Sequence, residues 1–258
     1  MKEEQDALGL ASDLPDIVRK VRERTPARLL VGRAGAALRT NTQIELREAH
    51  AAARDAVRAE LPAIDELFGK AFVTRWKLFA VRTKAATKDE YLLRPDLGRE
   101  FDDRSRAELQ SRCPVDSDLQ IVIGDGLSVP AVAAQVPCLL PLLDEGAAQR
   151  KWNMGQPFVI HHCRVGILNE IGTLLAPRVA VLLIGERPGL ATSESLSAYL
   201  AYRPNRSHSD ANRNVVSNIH ARGLSAAQAA SRILRLADLM TRTANSGCLL
   251  KEIPELLL

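Results

Sequence analysis

Aromatic residues are scarce in this chain: two Trp, three Tyr and five Phe make up 4% of it. The core must therefore be mainly aliphatic, and a row of aromatics on which nucleic-acid bases stack is not to be expected. The four cysteines, Cys113, Cys138, Cys163 and Cys248, lie far apart, with no C-x-x-C pair and no histidine spacing that would assemble a zinc site. Free thiols in a reducing compartment are expected. No apolar run reaches transmembrane length, and the opening Met1-Lys2-Glu3-Glu4-Gln5-Asp6 lacks the basic-then-apolar order of a secretory signal. A soluble, intracellular protein is expected. Walker A, G-x-S-x-G and H-E-x-x-H motifs are absent, as are internal repeats and low-complexity tracts. The chain thus carries no complete catalytic constellation of its own.

What is present suits a globular fold. The 258 residues are 46% hydrophobic, enough to bury a substantial core in one domain with a smaller appendage. The net charge of +4 comes from interspersed signs, as in Val21-Arg22-Glu23-Arg24 and Arg99-Glu100-Phe101-Asp102-Asp103-Arg104. Such mixing reads as solvated faces and argues against a dedicated phosphate-backbone surface.

The N-terminal part is expected to be mainly helical. Ile17, Val18 and Val21 take helical spacing within Leu14 to Arg24, with Asp13 as cap and Pro15 early. After Leu29-Leu30-Val31, the segment Gly32-Arg33-Ala34-Gly35 forms a turn. Thr42 and Glu45 fit a capping box for an alanine-rich helix that Pro62 stops. Leu78–Thr83 suits a short strand, Thr87 and Glu90 another capping pair, and Arg94-Pro95-Asp96-Leu97-Gly98 a break, so a boundary is placed between residues 1–96 and 97–258.

From Leu97 the rhythm alternates. Helices are expected at Arg99–Cys113, Ser128–Leu143, Val165–Leu175, Ser195–Tyr202 and Ser225–Thr243, and a polar loop from Pro204 to Asn214. Strands are expected at Leu119–Ile123, Phe158–His162 and Val179–Ile184. Apolar residues on both faces of the strands are what a helix-covered parallel sheet requires. The expected fold is α/β: a doubly wound, mostly parallel Rossmann-like sheet with a smaller helical N-terminal region.

Ligands in such sheets gather beyond the carboxyl ends of the strands. Ile123-Gly124-Asp125-Gly126-Leu127-Ser128 offers two glycines and a capping serine, but no third glycine completes a dinucleotide fingerprint, so a structural turn is the simpler reading. Gly185-Glu186-Arg187-Pro188-Gly189-Leu190 places charge directly after six apolar residues. Both a Glu–Arg pair closing a turn and a ligand contact account for it. His161 and His162 end a strand, yet consecutive strand positions face opposite ways and do not readily share an ion. His50, His208 and His220 stand alone and suit surface or hydrogen-bonding roles.

Several segments in order resemble the small (light) subunit family of ethanolamine ammonia-lyase. They are GRAG at Gly32–Gly35, YLLRPDLGR at Tyr91–Arg99, DGLS at Asp125–Ser128, RV at Arg164-Val165, IG at Ile171-Gly172, GERPGL at Gly185–Leu190, SESLS at Ser193–Ser197 and SNIH at Ser217–His220. The resemblance implies an α/β domain after a smaller helical region, bound to a larger barrel subunit. It also implies adenosylcobalamin between the subunits, and radical deamination of ethanolamine to acetaldehyde and ammonia mainly on the large one. Matched by position, Val165 and Glu186 would contact cobalamin, with a third contact at Val215, where the family pattern carries cysteine; only backbone or packing contact is left there. Arg164 and Arg187 are added on their chemistry, as cations suited to the cofactor's phosphate or amides. The chain lacks D-x-H-x-x-G, so cobalt is expected to keep the cofactor's own base. Nucleic-acid and membrane partners are not expected, and the location implied is the cytoplasm, a bacterial microcompartment included.

Two rival readings remain. One is a free-standing nucleotide- or NAD-binding enzyme using Gly124-Asp125-Gly126. The other is a noncatalytic scaffold that keeps the fold without cobalamin, which the valine at position 215 makes conceivable.

Overall fold

A computed structural model describes residues 16–24, 31 and 33–250. Asp13, Leu14 and Pro15, expected to open the first helix, the apolar Leu29-Leu30, and the turn residue Gly32 lie outside them. The first described helix is α1 (Asp16–Glu23), followed by the short antiparallel pair β1 (Arg33–Ala34) and β2 (Ala37–Leu38), joined through Gly35 at φ +62°. Helix α2 (Thr40–Arg58) begins two residues before the expected cap: Arg39 is the N-cap and no side chain closes it, so the Thr42 box does not form. Helices α3 (Ile64–Phe68) and α4 (Lys70–Trp76) lead to β3 (Ala80–Arg82).

The next elements follow their local signals closely. In α5 (Lys88–Leu93) the Thr87 hydroxyl accepts the Glu90 N–H, and the Glu90 carboxylate accepts from Ala86 N. The expected Arg99–Cys113 helix forms as a short 3₁₀ turn, Leu97–Arg99, and α6 (Asp103–Arg112), split where Asp102 caps Ser105 N. Strand β4 (Leu119–Gly124) is followed by α7 (Val129–Gln149), capped by Ser128, then β5 (Phe158–His161), α8 (Ile167–Leu175) and β6 (Val179–Gly185).

The segment Ser195–Tyr202 is the clear correction. It is not a helix but β7 (Leu196–Tyr202), antiparallel to β6 over its whole length, from Gly185 opposite Leu196 to Val179 opposite Tyr202. The polar stretch that follows ends in another strand, β8 (Asn214–Ile219), and Ser225 and Gln228 close a reciprocal capping box on α9 (Ala226–Thr243).

The sheet has six strands in the order β3-β5-β4-β6-β7-β8. Three neighbouring pairs, β3·β5, β5·β4 and β4·β6, are parallel, and the last two are antiparallel. The edge strand β3 comes from the segment before residue 97. Side chains alternate between two cores, as the pleat requires. Ile121, Ile123, Val181 and Leu183 pack toward α7 and α9, whereas Val122, Ala180 and Leu182 pack toward α6 and α8. Among the described residues no helix is long and apolar enough to cross a membrane.

Candidate functional site

Strands β4, β5 and β6 run parallel, so their carboxyl ends open along one edge of the sheet. From β4 the chain moves through α7 to β5 on one side, then through α8 to β6 on the other. At such a reversal the loops diverge and leave a crevice.

The floor beneath it is polar and tightly held. The fully buried Asp125 carboxylate, just past β4, accepts the backbone N–H groups of His162 and Cys163, each at 2.8 Å. Lys88 Nζ, 6% exposed, lies 3.9 Å from Asp125 Oδ2 and 3.3 Å from the Gly126 carbonyl oxygen. Burial pushes the Asp125 carboxyl above the usual carboxylate range, while Lys88 and the two N–H donors pull the other way. Asp125 thereby ties the end of β4 to the turn after β5, and that turn carries Arg164 and Val165.

Tyr91 closes the same corner. Its hydroxyl donates to the Cys163 carbonyl at 2.9 Å, its ring stacks on His162 at 5.8 Å between centroids, and the Arg164 guanidinium lies 4.1 Å from the ring. Burial raises the Tyr91 phenol well above its ordinary range, so it stays protonated. Arg164 Nη2 donates to the Tyr91 carbonyl at 3.1 Å, and its Nε is buried without a partner.

Above this floor lies a hollow of about 240 Å³. Arg164, Val165, Glu186 and Arg187 all line it, brought together from the turns after β5 and β6. Ser197 on β7 donates its hydroxyl to Glu186 Oε1, and Glu186 N donates to the Ser195 carbonyl at 3.1 Å. Val215 does not line the hollow. It sits on β8, 43% exposed and opposite Tyr199, whose ring is part of the wall.

Sequence reading alone does not single out the wall residues Tyr91, Gly126, Leu127, Cys163 and Tyr199. Gly126 and Leu127 stood in a segment read as a plain turn, and Tyr199 in one read as helix. The signal that would have found Tyr199 is the alternation Leu196, Ala198, Leu200, which is buried on one face of a strand. Gly126 adopts φ +56°, and a Cβ there would collide with the Gly185 carbonyl oxygen, so glycine is what lets the β4 and β6 turns touch.

Of the histidine pair, His162 has a structural role. His162, at φ +58°, is buried, with Nδ1 2.8 Å from the Ala85 carbonyl and Nε2 3.2 Å from Glu60. Among the described residues no group of three or more His, Cys, Asp or Glu is placed to hold a metal ion.

Residues 15–251 match the family model described as ethanolamine ammonia-lyase light chain (EutC). The chain is also similar to proteins called ethanolamine ammonia-lyase small subunit. That of Clostridium acetobutylicum is 39% identical over 223 residues, 86% of this chain and 89% of the relative. That of Clostridioides difficile is 39% identical over 231 residues, 90% and 76% of the two chains. That of Fusobacterium nucleatum is 40% identical over 228 residues, 88% and 75%. With a hollow built by its matched segments and relatives this similar along most of its length, the chain belongs to the ethanolamine ammonia-lyase light-chain family, small subunits of a lyase.

Proposed function

We propose that the hollow at the carboxyl ends of β4, β5 and β6 is this chain's share of an adenosylcobalamin site completed by the large subunit of ethanolamine ammonia-lyase. The observation that carries the reading is the convergence of Arg164, Val165, Glu186 and Arg187 on one wall.

The residues fit the group in kind, and the hollow is sized to take an edge of it. Cobalamin presents a broad face, a rim of amides and a phosphate-bearing tail, which calls for apolar floor with a few hydrogen-bonding groups. Val165, Leu127 and Tyr199 supply the apolar part, Glu186 accepts from amide N–H groups, and Arg164 and Arg187 bring positive charge to the wall. At about 240 Å³ the hollow is smaller than the ~300–1,000 Å³ of a site that encloses a drug-sized ligand. It therefore takes an edge of the cofactor and needs a second surface to enclose it. Val215, exposed beside Tyr199, extends the same wall toward that second surface.

Bound adenosylcobalamin supplies the radical through its metal–carbon bond. This chain's residues orient and enclose: Ser197 holds the Glu186 carboxylate, Asp125 holds the turn bearing Val165, and the Tyr199 ring keeps water from the edge. Deamination of ethanolamine belongs to the complex, and we place the reacting groups on the large subunit. We read the sheet in its finer detail as doubly wound and Rossmann-like, with residues 97–258 as the main cofactor-binding unit and 1–96 as the smaller region, helical apart from the β1–β2 pair and the edge strand β3, and contributing Tyr91 to the wall. The cytoplasm, or a microcompartment within it, is the expected location. Family membership favours neither the NAD-binding nor the scaffold reading.

The test is reconstitution. Mixed with its large subunit and adenosylcobalamin, the chain is expected to support ethanolamine consumption and to shift the visible spectrum of the cofactor. Activity from this chain alone, or a complex that leaves the cobalamin spectrum unchanged, overturns the proposal.

A further inference from the structure

A second, larger hollow of about 490 Å³ lies beside the first. Val165 lines one and Gly166, the N-cap of α8, lines the other. Tyr199, a wall of the first, feels the charges of Asp210 and Arg213 in the second. Four arginines line the larger hollow: Arg99, Arg106, Arg206 and Arg213.

Its carboxylates are already engaged. Glu170 accepts the Phe101 N–H at 2.5 Å and Arg106 Nε at 2.6 Å, so both of its oxygens are used. Glu100 pairs with Lys84 Nζ at 2.5 Å, a cation outside the lining, and lies 3.9 Å from Arg106 Nη2 within it. Asp210 pairs with Arg213 Nη1 but is itself 89% exposed. Among the described residues the exposed Arg99 and Arg206 side chains form no hydrogen bond or ion pair, Arg206 only helping to hold the Glu100 carboxyl below its usual range, so the lining's four arginines outnumber its three carboxylates.

Arg213 is the most telling group. Its side chain is only 4% exposed, Asn169 Oδ1 accepts from its Nη2 at 2.8 Å, and its Nε is buried without a partner. Held by Asp210 and Asn169, this buried guanidinium is fixed in place and adds a rigid positive charge to the wall. Donors from three separate segments, the 3₁₀ turn before Glu100, the loop before His208 and the residue just before β8, converge here. A tetrahedral oxyanion offers an oxygen to each, where a planar carboxylate offers two.

We propose that this arginine-lined hollow is a phosphate-binding site. The phosphate group comes either from the tail phosphodiester of a cobalamin bound at the adjoining hollow, which rests on the function proposed above, or from free inorganic phosphate, which does not.

The experiment uses the complex with the large subunit, freed of cofactor, and titrates inorganic phosphate by calorimetry at constant ionic strength. Saturable binding is expected, and Arg99→Gln with Arg206→Gln should weaken it at least tenfold; both side chains are exposed, so the fold is not at risk. No saturable binding, or equal binding by parent and variant, overturns the proposal. Adenosylcobalamin and adenosylcobinamide, which lacks the tail phosphate, are then added to the phosphate-loaded complex. Displacement by the former alone supports the tail as source, and retention of phosphate beside bound cobalamin supports the free anion. Displacement by both to the same extent means that the corrin ring covers the hollow, and this overturns the proposal as stated. Because the first titration contains no cobalamin, failure of the cofactor reading does not disturb it.

Discussion

Ser197, on β7, donates its hydroxyl to the carboxylate of Glu186, two residues past Ile184, its partner on β6. The antiparallel return of the chain thus holds the acid of the GERPGL turn in place while leaving its other oxygen free to accept from a ligand. The pairing exists only because Leu196–Tyr202 is a strand.

Removing either member should loosen the cofactor rather than the fold. Ser197→Ala is expected to weaken cobalamin binding by the reconstituted complex several-fold, and Glu186→Ala about tenfold, consistent with a hydrogen bond to a charged group worth roughly 1.5 kcal/mol. The visible-range titration that measures this should find turnover at saturating cofactor unchanged in the serine variant. Affinity equal to the parent's in both variants would remove Glu186 from the site.

Asp125 and Lys88 form a buried ion pair beneath the same turn. Asp125→Ala leaves the Lys88 ammonium without its charge partner and strips the acceptor from two N–H groups, which should cost about 3–5 kcal/mol. Asp125→Asn keeps one acceptor oxygen and should cost less. Chemical denaturation of the three proteins is expected to rank them parent, Asn variant, Ala variant, and an alanine variant as stable as the parent would contradict the anchoring role.

Gly126 sits at a positive φ with its Cα against the Gly185 carbonyl. Alanine there meets backbone rather than a movable side chain, and the turns after β4 and β6 must separate. A loss of about 2 kcal/mol or more is expected, against less than 1 kcal/mol for an unstrained loop glycine. Thermal unfolding of Gly126→Ala beside Gly189→Ala, where nothing stands in the way of a Cβ, makes the comparison.

Burial and the neighbouring Arg82 pull the His161 imidazole down to about 4. Its folded pKa is thus below the unfolded value near 6.5, so the unfolded chain binds more protons between those limits. The stability this neutral imidazole contributes is complete above pH 6.5 and is lost as pH falls toward 4. The ring is partly exposed, and after screening the effect should be about 1–2 kcal/mol. His161→Gln should flatten this part of the stability curve; an acid limb identical to the parent's would assign the loss to other groups.

Elements whose signals are local were legible from residues alone. The apolar runs of β4, β5 and β6, and the caps Thr87, Ser128 and Ser225, act within a few residues of themselves. LSAYLAY misled because leucine and alanine are strong helix formers, and seven residues are too few for their period to decide. Hydrogen bonding along all of β6 outweighed that preference. NVVSNI, half polar, carried no clear strand pattern, and β8 forms because β7 presents it an edge.

The site divides in the same way. Sequence by itself determined that polar residues follow apolar strands at Arg164-Val165 and Glu186-Arg187, because strand and turn are neighbours in the chain. That these turns share one hollow, that Tyr91 and Tyr199 wall it, and that Asp125 serves as an anchor rather than a mere turn residue were decided by strand order. So was the meeting of Arg99, Arg206 and Arg213. Groups a hundred residues apart acquire a common electrostatic environment only when the backbone crossovers bring them there, and no local spacing encodes which crossover occurs.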